Sequence, residues 1–353
     1  MTKSSKQKKR QKARIRNWIT AIVILLILVG VPYAILHYQA SKSSMTIGEV
    51  IQRKMVKSEG AESGSEVSSS TISEGEKIDF LTRRHIGNEY SEKPMISHVV
   101  VEDLDEDGLL DVLVCDALDN FVSWIRQYPE NVYSETVLAT DLIAPAHLQV
   151  KDFDGDGDKD LLVAVLGLLY PSNDKIGSIV LLENDGNFNY TQTVIVDRIA
   201  RVSDVRAGDL DGDGDMDLAA AQFGYDDGET RWMENLGNGE FKTHMLQNLS
   251  GPINVELVDI DEDGDLDIIS LVSQEWEEIY CYVNDGTGKF RMQLLWGSDN
   301  EDFGSSGIFL YDLNLDGKLD ILYANGDAFD YIPPQGKPWH GLQWFENKGN
   351  LDF

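Results

Sequence analysis

Cysteine is nearly absent: the 353-residue chain has two, Cys115 and Cys281. That excludes a disulfide framework. Each lies in a short apolar run (Val112-Leu113-Val114-Cys115 and Ile279-Tyr280-Cys281-Tyr282), so both are expected to be buried free thiols. Basic residues are also scarce, 30 Lys and Arg against 61 Asp and Glu, for a net charge of -31. Eight of the basic residues crowd the first 16 positions, which hold no acid, so the remainder is more acidic still. A field of that sign excludes nucleic acid as a partner and attracts cations. Catalytic signatures are missing too. There is no Gly-x-Ser-x-Gly, no His-Glu-x-x-His, no Walker loop and no glycine fingerprint after a strand.

Long uncharged apolar runs are absent but for one, the 19 residues from Trp18 to Leu36. As a helix it spans roughly 28 Å, about the hydrocarbon thickness of a bilayer. The basic segment 1–16 before it stays cytoplasmic by the positive-inside rule. Residues 17–37 are therefore expected to form a transmembrane signal-anchor. A cleaved signal peptide is the rival; its apolar region is usually shorter, and Tyr38 and Ala40 poorly match a small-x-small cleavage site. Residues 38–76 are rich in Ser, Glu and Gly and lack apolar periodicity, which is the composition of a flexible tether. The expected arrangement is a single-pass membrane protein whose folded part, residues 77–353, is periplasmic or extracellular.

That folded part repeats itself. Five segments read Asp-x-Asp/Asn-x-Asp-Gly-x-x-Asp, with starts separated by 49, 57, 50 and 53 residues. The period suits a four-stranded propeller blade. Oxygen-rich loops of this spacing suit calcium, which takes six to eight oxygen ligands, with carboxylates at the first, third, fifth and ninth positions and a backbone carbonyl at the seventh. The expected ligand sets are Asp103, Asp105, Asp107, Leu109 and Asp111; Asp152, Asp154, Asp156, Asp158 and Asp160; Asp209, Asp211, Asp213, Asp215 and Asp217; Asp259, Asp261, Asp263, Asp265 and Asp267; and Asp312, Asn314, Asp316, Lys318 and Asp320. About five structural Ca2+ sites follow, the fifth weakest because Asn314 replaces a carboxylate. EF-hands are excluded. The twelfth position is Val114, Val163, Ala220, Ser270 or Tyr323, never an acid, and the flanks are strand-like.

A second element follows most loops: Glu183-Asn184-Asp185-Gly186, Glu234-Asn235-Leu236-Gly237, Val283-Asn284-Asp285-Gly286 and Glu346-Asn347-Lys348-Gly349. These are hairpin-turn sequences. Each unit is thus expected to run strand A, Asp loop, strand B, variable loop, strand C, Asn/Gly turn, strand D. The paired motifs resemble the FG-GAP/VCBS repeats, best known from integrin α-subunit propellers, from about residue 77 onward. The resemblance implies an all-β propeller with calcium in the A–B loops; it does not fix a function. Lys77–Ile86 resembles a strand D and is able to close a five-bladed ring. The strand begun at Asn350-Leu351-Asp352-Phe353 favours instead a truncated seven-bladed one.

The Asp loops mark one face of such a propeller, so ligand binding is expected on the other, where the B–C loops lie. Tyr170, Tyr225, Trp276, Phe329, Trp339 and His340 are the candidates there, aromatic groups among carboxylates that suit a polysaccharide or a protein ligand. A carbohydrate-active enzyme of the lyase or dehydratase kind is the alternative, with Asp226, Asp227, Asp330 or His340 as acid/base; a structural adhesion protein is the third. Five residues before each loop stand His98, His147, Asp204, Asn254 and Gly307, a ring expected near the central channel.

Overall fold

The computed structural model describes residues 84–327, 333 and 335–353. The expected membrane helix and tether lie outside the described residues, as do Phe329 and Asp330. Among the described residues no helix is long and apolar enough to cross a membrane.

The fold is a five-bladed β-propeller. Blade 1 is β1 (Ile96–Glu102), β2 (Asp111–Asp116), β3 (Phe121–Gln127) and β4 (Tyr133–Thr140). Blade 2 is β5 (Pro145–Lys151), β6 (Asp160–Val165), β7 (Gly177–Asn184) and β8 (Tyr190–Ile199). Blade 3 is β9 (Val202–Gly208), β10 (Asp217–Gln222), β11 (Glu229–Asn235) and β12 (Phe241–Gln247). Blade 4 is β13 (Pro252–Val258), β14 (Asp267–Val272), β15 (Glu278–Asn284) and β16 (Phe290–Gly297). Blade 5 has three strands among the described residues, β17 (Ser305–Tyr311), β18 (Asp320–Asn325) and β19 (Gly341–Phe345). Each blade is an antiparallel meander in chain order. The innermost strands β1, β5, β9, β13 and β17 stand beside one another in succession.

The strand sequences follow from this stacking. β6, β10 and β14 have a neighbouring blade on both faces, so every residue is buried and the strands read as near-continuous apolar runs. The outer strand β4 has one wet face, and its residues alternate accordingly. The cores lie between blades: Leu113, Cys115, Val122 and Trp124 of blade 1 pack on Leu148, Leu161, Val163 and Leu182 of blade 2. Similar clusters join blades 2 and 3, and blades 4 and 5. Cys115 and Cys281 are both free and buried.

Each innermost strand carries a bulge one residue before its ring position, at Ser97, Ala146, Ser203, Ile253 and Ser306. A bulge re-aims the following side chain. It also frees Ser97 and Ser203 to donate to the next blade, at Pro145 O (2.5 Å) and Pro252 O (3.0 Å).

The start of the described chain does not complete blade 5: among the described residues β19 pairs with β18 alone. Residues 84–90 lie instead along blade 1. Arg84 donates to Asn131 Oδ1 (3.3 Å), while the Asn88 amide and the Tyr90 hydroxyl donate to Glu135 at 2.7 and 2.6 Å. The Tyr90 ring stacks on Phe121.

Candidate functional site

The five Asp loops share one backbone shape. The sixth residue is always glycine, with φ between +88° and +101° at Gly108, Gly157, Gly214, Gly264 and Gly317. A Cβ there would touch nothing within 4 Å, so glycine is required by the dihedral and not by space. The fourth residue is left-handed as well: Gly155 and Gly212 in two loops, but Glu106, Glu262 and Leu315 in the others.

These turns aim backbone amides at the carboxylates. The first Asp accepts from the glycine amide, at 2.9, 3.1, 3.0, 3.0 and 2.8 Å in the five loops. The fifth residue accepts from the amide of the seventh at 2.9–3.0 Å. The remaining carboxylate oxygens converge. Ligand atoms of Asp103, Asp105 and Asp111, of Asp152, Asp154 and Asp160, and of Asp209, Asp211 and Asp217 lie within 4.8 Å of one another; so do those of Asp259, Asp261 and Asp263. An all-oxygen set of this kind fits a hard cation such as Ca2+.

The ninth residue does more than face that centre. Asp111, Asp160, Asp217, Asp267 and Asp320 are buried. Each accepts from the amide of the loop's second residue through Oδ2, as Leu210 does to Asp217 at 2.9 Å. Through Oδ1 each accepts from a backbone amide at the end of strand C, from its last residue in Gln127, Asn184, Asn235 and Asn284 and from Asn347 just past β19, at 2.7–2.8 Å. The repeated Asn thus docks the C–D hairpin onto the Asp loop. Its side-chain amide also donates to the carbonyl of the loop's eighth residue, for instance Asn347 to Leu319 O at 3.1 Å. Blade 1 lacks the Asn motif, and Gln127 fills the role, donating to Leu110 O at 2.9 Å. Neither residue type nor spacing marks Gln127 in the sequence: it follows Asp111 by 16 residues, whereas the Asn follows its Asp by 17 to 27 in the other blades.

Electrostatics separate the loops. Burial first, then neighbouring carboxylates, pushes Asp217 and Asp267 up to about 6, against the pull of their amide donors. Asp211 and Asp261 are raised for the same leading reason. In the fifth loop the Lys318 amide holds Asp316 below the usual carboxylate range, helped by Asn314 and the Lys318 charge. Loop 1 contains a cation already: the Arg126 guanidinium contacts Asp105 and lies 3.5 Å from Asp107. Its carbon sits 4.9 Å from the Tyr128 ring centroid.

On the opposite face, a cleft of about 470 Å³ is lined by Tyr225, Glu275, Glu277, Glu301, Asp302 and Asp327 among others. Glu277 is buried, accepts from the Ser305 amide (2.8 Å) and hydroxyl, and is raised chiefly by burial. Tyr225 is exposed at the cleft, and Tyr170 is exposed on blade 2 outside it. Trp339 donates to Asp302 O at 2.8 Å beside the cleft. Trp276, expected on the binding face, is instead buried; its indole donates to Ser250 Oγ at 2.9 Å. It packs its loop because an indole ring in a B–C loop removes more area from water folded inward.

Two of the acid/base candidates, Asp226 and His340, have structural partners. Asp226 and Asn173 exchange two hydrogen bonds, at 2.8 and 2.9 Å, tying the B–C loops of blades 2 and 3. His340 Nδ1 accepts from the Lys337 amide at 3.2 Å, which places the neutral ring's proton on Nε2, 2.8 Å from Asp327. Asp227 is exposed.

The ring positions meet along the innermost strands. His98 Nδ1 accepts from the Leu148 amide (3.1 Å), and the His98 and His147 rings lie 4.1 Å apart. His147 Nδ1 is 3.0 Å from Asp204 Oδ1, and Asp204 Oδ2 accepts from the Val255 amide at 3.2 Å. Arg206, which no motif singled out, reaches Glu256 at 2.8 Å and Asp204 at 3.5 Å.

Repeated Asp loops between strands A and B, each locked to a C–D hairpin, define a propeller of tandem Asp-loop blades. A family model, the FG-GAP-like repeat, matches residues 103–163, 152–220, 217–270 and 259–323, each match running from one Asp loop or its following strand through the next. The chain belongs to the FG-GAP-like repeat family. No curated protein matches it.

Proposed function

We propose that the protein is a calcium-stabilised interaction module, held at a membrane by residues 17–37 and displaying its propeller on the periplasmic or extracellular side. The observation that carries the calcium reading is the convergence of three carboxylates in each of four loops, within 4.8 Å. Like charges held that close repel strongly without a cation. Further support comes from the shared amide cradle, which fixes the carboxylates before an ion arrives. The ligand reading rests on the cleft of blades 3 to 5. Its carboxylates and serines accept hydrogen bonds from hydroxyls or amines, and Tyr225 offers a stacking face. A polysaccharide or a protein segment suits that chemistry.

Calcium binding to the folded state raises stability by RT ln(1 + [Ca]/Kd) per site. Differential scanning calorimetry of the full chain should show a clear drop in Tm on adding a calcium chelator and recovery on adding excess Ca2+. A Tm indifferent to both rejects the calcium reading. A glycan array with Ca2+ present then tests the cleft: Tyr225→Ala should lose the binding that the unaltered protein shows.

A further inference from the structure

Five carboxylates, those of Glu275, Glu277, Glu301, Asp302 and Asp327, line the cleft of blades 3 to 5, and no lysine or arginine among the described residues lines it. They do not meet as the Asp-loop carboxylates do. Among the described residues, the acidic groups with three ligand atoms within 4.8 Å of one another all lie in the Asp loops. A single small ion is therefore poorly held in the cleft. Its charge is spread along a wall, which suits cationic groups carried on a polymer.

These charges lie at different depths. Glu275, Glu301 and Asp302 are exposed, whereas Glu277 is 2% exposed. Its donors, the Ser305 amide at 2.8 Å and the Ser305 hydroxyl, are neutral. Among the described residues no cation pairs with it, and burial raises its carboxyl despite those donors. A buried carboxylate without a cation is costly, so a cation that reaches it is strongly favoured. That cation has to be slim. An amine fixed directly on a sugar ring is held back by the ring, whereas Lys and Arg carry their charge on an unbranched stem. Arginine suits the cleft better, because its planar guanidinium forks onto carboxylates and stacks on aromatic faces. Tyr225 supplies such a face at the cleft, with 54% of its surface exposed. Its loop is already fixed, since Asp226 and Asn173 exchange hydrogen bonds at 2.8 and 2.9 Å. The ring is thus placed before a ligand arrives.

We propose that the cleft takes an arginine side chain from a basic segment of a partner protein, with the guanidinium pairing with Glu277, Tyr225 giving it a stacking face, and neighbouring basic residues meeting Glu301 and Asp302. On the reading of the cleft as the ligand site, its chemistry selects a protein over a polysaccharide.

Fluorescence anisotropy of the detergent-solubilised full chain, with Ca2+ present, tests this. The probes are a labelled peptide of alternating glycine and arginine and the same peptide with citrulline in place of arginine. The arginine peptide should bind. The citrulline peptide keeps the shape and loses the charge, and should bind about tenfold more weakly or worse. Glu277→Gln should weaken arginine-peptide binding by roughly the same factor without lowering Tm, because it removes an unpaired buried charge. Tyr225→Ala and Glu301→Gln, at exposed positions, should weaken it less. Glu240→Gln removes the same charge from an exposed hairpin on the Asp-loop face and should leave binding unchanged. Equal affinity for the citrulline peptide overturns the proposal. So does a Glu240→Gln loss as large as those of Glu277→Gln and Glu301→Gln, the mark of unspecific attraction to an acidic protein. A glucosamine oligomer or neutral glycan that binds and is lost in Tyr225→Ala, while the arginine peptide fails to bind, also overturns it but leaves the cleft standing as the ligand site. If neither peptide nor glycan binds, both readings fall.

Discussion

The Asn284 amide donates to Asp267 Oδ1 at 2.8 Å, joining the hairpin motif of blade 4 to the last carboxylate of its Asp loop. That bond uses the backbone N–H; the Asn284 side chain donates to Leu266 O at 3.0 Å and crosses to blade 3 at Leu210 O, at 2.7 Å. One asparagine therefore holds a loop, a hairpin and a blade seam together.

Asn284→Ala should be costly in proportion. It leaves two buried carbonyls without their donor, a loss of about 2–4 kcal/mol. Urea denaturation should show a lower midpoint with an unchanged slope, and the fourth-loop calcium affinity should fall with it.

Arg126 predicts that the first loop differs from the others. Its guanidinium supplies positive charge where a metal would sit. Arg126→Ala should raise calcium affinity at that loop by roughly fivefold, about 1 kcal/mol after solvent screening, and lower stability when calcium is chelated. Isothermal titration calorimetry of the variant reads the first effect, and its Tm in the presence of a chelator the second. A weaker first site would show that Arg126 assists the ion instead of competing with it.

The fifth loop is tuned by one substitution. Asn314→Asp restores a carboxylate at the third position and adds charge to the ligand set, so its calcium affinity should rise roughly tenfold. Terbium luminescence, sensitised by nearby Tyr311, offers a direct reading.

Asp204 gives a pH signature. Complete burial, partly opposed by Arg206, raises its carboxyl to about 6, above an unfolded value of about 3.9. The folded state then holds a proton that the unfolded state has released. The contribution to stability is lost as pH rises from about 4 through about 6. Asp204→Asn lacks this loss, so its Tm relative to the unaltered protein should climb across that window and level off above it. A Tm difference that is flat between pH 4 and 7 would contradict the assignment.

The fold was legible because the repeat states it twice, once in the Asp loop and once in the Asn hairpin, and both serve the same local turn chemistry. Gln127 escaped notice because a longer amide side chain performs the Asn role from another residue type. The left-handed fourth position escaped because Glu106, Glu262 and Leu315 carry no glycine to announce it. Trp276 looked like a binding residue because sequence shows that an indole sits in a loop, not which way the loop folds. Arg206 and Glu256 stand at positions where other blades carry Val100, Gln149 and Phe309, so no pattern predicted their pairing.

Short-range physics lies in the sequence itself. Glycine at the sixth position permits the turn, aspartates at fixed spacing aim at one centre, and apolar strands repeat at a period that builds blades. Which blade faces are covered is a different kind of fact. Val99 and Val205 occupy the same place in their repeats, yet one is exposed and the other fully buried. Burial depends on whether another blade arrives, and only the tertiary structure decides that.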